Sequence, residues 1–177
     1  VAAYNIVLNS EDKAALDSLP PLMEESAEDI SEVVIALEAK ACMTEHIKSI
    51  PRLHAEILAT GYLAKRAVPR CITVSYSLVN TADTFVTPSG EGKTNTHSQP
   101  NDARRVIEML SNAIPLARDF NNLLGYDVLG VTAIHCRNDG STVSVDHGAA
   151  APKAGDHVRY ERMITSICSE YRSRFSR

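Results

Sequence analysis

The chain has 177 residues, 44% of them apolar, enough to fill one sizeable core, so a single domain is the starting expectation. Its 18 basic residues stand against 22 acidic ones, which leaves no positive excess for neutralising phosphates and excludes nucleic acid as an expected partner. Apolar runs are only a few residues long, far short of the roughly 20 needed to cross a bilayer, so no transmembrane segment is expected.

Tyr4, Ile6 and Leu8 alternate with other residues and predict a short first strand. Ser10 opens a brief helical turn that Pro20-Pro21 closes. From Leu22 to Ile50, apolar residues such as Ile30, Val33, Leu37 and Ala41 recur at spacings of three and four, and Glu24, Glu25 and Glu28 crowd the start; the pattern predicts a long helix. Pro51 fits the first position of a second helix, with Leu53, Ile57, Gly61, Ala64 and Val68 inward and Pro69 as its end. The small Gly61 and Ala64 suggest close antiparallel packing against the preceding helix.

The period changes to two from Cys71 to Val79, with Ile72, Val74, Tyr76 and Leu78 on one side and Thr73, Ser75 and Ser77 on the other, as in a half-buried strand. Residues 80–101 are rich in Thr, Ser, Gly, Asn and Pro and read as a long polar loop. A helix then opens at Asn101 or Asp102, is kinked by Pro115 and stops at Gly125. Val128 to Arg137 and Thr142 to His147 flank Asp139-Gly140, a pair suited to a tight hairpin turn. Asp156 caps a last helix carrying Tyr160, Met163, Ile164, Ile167, Cys168 and Tyr171. These elements predict an α+β fold, a small antiparallel sheet of about four strands packed against helices in a single domain over 1–177.

Four cysteines, Cys42, Cys71, Cys136 and Cys168, form no Cys-x-x-Cys pair, which argues against zinc. Their even number on a chain that begins at Val1 and carries no signal peptide reads as two cystines in a processed, secreted protein. Four buried thiols in a cytoplasmic protein is the alternative.

The stretch Thr87-Pro88-Ser89-Gly90-Glu91-Gly92-Lys93-Thr94 locally resembles the phosphate loop of formate-tetrahydrofolate ligases and, more loosely, a Walker A motif. That loop needs a helix immediately after it, and Asn95 to Pro100 cannot supply one, so the stretch is read as a flexible polar loop. His135, Ser144 and Asp146 share one hairpin face and have the residue types of base, nucleophile and orienter, without a nucleophile turn or oxyanion loop. His46 and His54 flank the expected turn between two helices with Glu45 and Glu56 nearby, His97 lies in the polar loop, and His147, Asp156 and His157 flank the last connector. None of these makes a full ligand set in sequence, and neither a metal nor a cofactor is expected.

The expectation is a secreted, disulfide-stabilised, non-enzymatic protein of toxin or effector type that binds a protein or cell surface. A structural or assembly subunit processed from a precursor is the alternative, and a small hydrolase-like enzyme using the 128–147 hairpin is the third reading. The sequence leaves the oligomeric state open.

Overall fold

The alternating stretch that starts at Cys71 forms the central strand of the protein. In a computed structural model, which describes residues 33–88, 92–113 and 126–176, strand β2 (Ile72–Asn80) has a parallel neighbour on each side. Strand β1 (Ile35–Cys42) comes first, and the chain returns to β2 through helix α1 (His46–Ala67), the crossover that parallel pairing requires. After β2 come a hairpin of β3 (Thr84–Val86) with β4 (Thr94–Thr96), helix α2 (Asn101–Ser111), and β5 (Val128–His135) on the far side of β2. Strand β6 (Ser144–Val145) pairs antiparallel with β5, and helix α3 (Tyr160–Phe175) follows. The chain is thus an α+β protein whose main sheet runs β1-β2-β5-β6, and the residues from Val33 onward form one compact unit.

Helices cover both faces of the sheet. On one face Leu53 and Ile57 of α1 and Val106, Ile107 and Leu110 of α2 pack with Val79, Leu129, Val131 and Ala133. On the other, Met163 of α3 packs with Ile72, Val74 and Val128, supported by Tyr76, Ile167 and Phe175. A smaller cluster of Phe85, Ile134 and Cys136 seats the hairpin, with Met43 and Leu78 against it. Gly130 lets α3 approach β5, because a methyl group there would overlap the Met163 sulfur.

Several expectations are corrected. The sheet is mixed, with β1, β2 and β5 parallel, instead of antiparallel throughout. The polar side of β2 explains the difference: Thr73, Ser75 and Ser77 are buried beneath helices, so the strand is covered on both faces, as parallel strands are. Residues 35–42, expected inside a long helix, are β1, and the helix that follows starts at His46 and carries Pro51 in its interior, so the expected antiparallel helix pair is absent among the described residues. The segment 80–101, expected as a structureless loop, carries the β3–β4 hairpin, whose threonines and Val86 suit extended backbone. Asp156 accepts a bond from the Lys153 amide, and Arg159, not Asp156, occupies the cap position of α3. The elements expected before residue 33, and the Pro115 kink with its Gly125 stop, lie outside the described residues.

The cystine expectation is overturned: Cys42, Cys71, Cys136 and Cys168 are all free. Cys42 ends β1 and Cys71 precedes β2, which puts them at opposite edges of a parallel pair. Cys136 belongs to the hairpin cluster, while Cys168 is exposed on α3. Burial pushes the thiols of Cys42 and Cys71 up, away from the reactive thiolate. The secreted, toxin-like reading rested on those cystines and loses its footing with them. Among the described residues no helix is long and apolar enough to cross a membrane.

Candidate functional site

Parallel strands put their carboxyl ends at one edge of the sheet, and in open α/β sheets that edge is where ligands sit. Here β2 ends at Asn80, whose side chain is fully buried. Its Nδ2 donates to the carbonyls of Met43 (3.1 Å) and Cys136 (2.9 Å), and its Oδ1 accepts from the amides of Ala82 and Cys136, both at 3.0 Å. One carboxamide therefore joins the segments that follow β1, β2 and β5. The Asn80 carbonyl in turn accepts from His46 Nε2 (2.7 Å) and Gln99 Nε2 (3.1 Å).

His46 opens α1, and His97 follows β4. The two rings meet edge to face, with centroids 4.8 Å apart and planes at 77°. His97 Nδ1 lies 2.9 Å from the carbonyl of Ala82. A carbonyl only accepts, so His46 carries its proton on Nε2 and His97 on Nδ1. The other nitrogens, His46 Nδ1 and His97 Nε2, are both buried without a partner. Burial lowers the pKa of His46, and the neighbouring His97 lowers it further against the opposing pull of the Asn80 carbonyl and Asp102. The neutral imidazole is the favoured form of His46.

Both rings line a cavity of about 290 Å³ with Asn95, Thr96, Asp102 and the first residues of α1. Asn95 Nδ2 is also buried without a partner. Helix α1 starts without a side-chain cap, from Glu45 in the left-handed region (φ 50°), so its first amides add donors to the rim. The Asp102 carboxylate accepts from the Ser98 amide, and at the mouth Lys48 pairs with Glu45. The site therefore sets acceptors, the two imidazole lone pairs, beside donors from Asn95 and α1.

A second cavity, of about 370 Å³, lies between Tyr76, Thr132, Asp146, His147, Arg159 and Tyr160. Several of its polar groups are already paired: Tyr76 donates to Thr132, Arg159 pairs with Glu161, and Asp146 accepts from the Gly148 amide. That leaves it less poised for a ligand than the histidine cavity.

The residues singled out in sequence fall differently. His135 and Ser144 stand opposite one another in the β5–β6 register, as the Asp-Gly turn implied. Among the described residues no side-chain hydrogen bond joins them, and Asp146, its pKa lowered by the Thr81 hydroxyl, bonds to Thr81 and Gly148 instead. His54 lies eight residues from His46 on the same helix, and Glu56 pairs with Lys40. His157 bonds to the Ser111 carbonyl, apart from His147. Thr87 bonds to Lys93 across the hairpin, and Thr94 begins a strand where a phosphate loop needs a helix. Sequence reasoning noticed His46 and His97 separately. It missed their meeting, along with Asn80 and Asn95, because no local spacing connects residues so far apart.

No protein-family model matches the chain, and neither does any curated protein or solved structure.

Proposed function

We propose that this chain binds a small polar ligand in the cavity at the carboxyl edge of its sheet. His46 and His97 accept hydrogen bonds from the ligand, and Asn95 with the start of α1 donates to it. One observation carries the reading: of the four buried side-chain polar atoms without a partner among the described residues, three belong to residues that line this cavity. Leaving such an atom unpaired costs about 1 to 3 kcal/mol, so three together favour any occupant that pairs them. The rigid turn behind the rings supports the same reading, since a site held by buried bonds loses little freedom when filled. The ligand presents donor and acceptor groups side by side, as carboxamides and protonated oxyacids do. Binding thus remains the mode of action, with a small molecule in place of the macromolecular target expected from sequence.

The test is nuclear magnetic resonance of the imidazole and side-chain amide groups during titration with acetamide, acetate and inorganic phosphate. The resonances of His46, His97 and Asn95 should move with at least one probe, while those of His54 and His157 stay still. Unchanged resonances at all three residues with every probe would overturn the proposal.

A further inference from the structure

His46 and His97 meet edge to face, each with one ring nitrogen buried and without a hydrogen-bond partner, and imidazole nitrogens are metal ligands as well as hydrogen-bond acceptors. We infer that His46 Nδ1 and His97 Nε2 coordinate a divalent late first-row transition ion of the zinc, cobalt, nickel or copper class. The inference rests on the cavity being a ligand site and changes what the ligand meets there: when the ion is bound it takes both imidazole lone pairs, and the ligand meets its open coordination positions in their place.

Three observations carry it. Each ring gives its N–H to a backbone carbonyl, His46 to Asn80 and His97 to Ala82, which is how metal-ligating histidines are oriented and their tautomers fixed. Both carbonyls belong to a single turn, held by the buried Asn80 carboxamide, so the rings are fixed relative to one another. The spacing also agrees. With metal–nitrogen distances of about 2.1 Å, two imidazoles on one ion at angles between about 90° and 109° place their centroids about 4.5 to 5.2 Å apart. The observed 4.8 Å falls within that interval.

Ligand type selects the ion. Imidazole nitrogen suits zinc, copper, nickel and cobalt, whereas magnesium and calcium require sets of oxygens. Among the described residues no third His, Cys, Asp or Glu completes a three-residue set, so two side chains hold the ion and its other positions belong to water or to the small ligand. Asn95 and the first residues of α1 line the same cavity and supply N–H donors for an oxygen bound there. Such an ion is exchangeable, unlike one locked in a closed four-ligand site.

The experiment titrates the full chain, free of any affinity tag, with Co²⁺ followed by visible absorption, and then displaces the Co²⁺ with Zn²⁺. One equivalent of Co²⁺ should bind with a nitrogen-ligated spectrum. His46→Gln and His97→Ala should each weaken binding about tenfold or more, while His54→Ala and His157→Ala bind as the parent does. His46→Gln keeps an N–H to offer the Asn80 carbonyl, and far-ultraviolet circular dichroism checks its fold; if it does not fold, His97→Ala decides alone. Absence of Co²⁺ and Zn²⁺ binding overturns the inference, as does binding that survives in the His46→Gln, His97→Ala double variant. Imidazole resonances that answer acetamide, acetate or phosphate but not Zn²⁺ refute the metal and leave the ligand cavity standing. Resonances that answer none of these refute both.

Discussion

Asn80 has neither charge nor catalytic chemistry, yet the carboxyl edge of the sheet depends on it. Its carboxamide satisfies two carbonyls and two amides in a place water does not reach. Alanine at this position would strand all four groups. Each buried unpaired group costs about 1 to 3 kcal/mol before the loops relax, so Asn80→Ala should lower unfolding free energy by about 3 to 5 kcal/mol. Urea denaturation measures this directly. A loss under about 1 kcal/mol would mean that the strand ends hold their geometry without the carboxamide, and that the histidine pair is less rigidly placed than these four bonds imply.

At the scale of elements, packing overrode local preference in one place and agreed with it in others. Residues 35–42 read Ile-Ala-Leu-Glu-Ala-Lys-Ala-Cys, mostly good helix formers at helical spacings, yet they pair in register with β2 from Ile35↔Ile72 to Cys42↔Val79. Their burial alternates residue by residue, a period of two that the alanines and charges concealed. Strand β2 and the β5–β6 register were legible because alternation and an Asp-Gly pair are local signals; the register is the one that pair implies, although the positive φ falls at Asn138 (56°) and Gly140 (88°) and pairing stops at His135 and Ser144. The histidine cavity was not legible, since it is assembled by a parallel crossover and a hairpin that leave no joint spacing in sequence. Gly130 is a further contact of this non-local kind. A methyl there would overlap the Met163 sulfur and crowd the Tyr76 ring, and Met163 is itself buried, so the helix or the side chain must shift to admit it. Gly130→Ala should therefore cost about 1 to 3 kcal/mol. In a chain already carrying Met163→Ala the added methyl should cost almost nothing, so a thermodynamic cycle by urea denaturation reads the contact as coupling. Strictly additive losses would show that α3 does not bear on Gly130.

Across the whole molecule, the edge opposite the cavity is where the layers are fastened together. Asp127, just before β5, accepts from Lys65 of α1 at 2.7 Å, from Arg174 of α3 at 2.8 and 3.2 Å, and from the amide and hydroxyl of Thr73 in β2 at 2.9 and 3.0 Å. One carboxylate so ties the helices on both faces to the sheet between them. Burial pushes its pKa up, but the bonds from Arg174, Lys65 and Thr73 outweigh burial and bring it down to about 2 from an ordinary 3.8. A carboxyl whose folded pKa lies below its unfolded one contributes stability that is complete above about pH 4 and is lost as pH falls toward 2. The amount is about 2 kcal/mol, and the 10% exposure of the side chain leaves little solvent to screen it. Asp127→Asn leaves Lys65 and Arg174 without the buried anion they share, so it should be less stable than the parent at pH 7. Acidification protonates the parent's carboxyl and removes the same attraction, so the gap between the two chains should narrow as pH drops from about 4 to 2. The other carboxylates titrate in both chains and cancel in the difference. Unfolding free energies measured in urea across that range decide it: a gap of the same size at pH 7 and pH 2 would mean that Asp127 holds the layers by shape and neutral hydrogen bonding, with its charge contributing nothing.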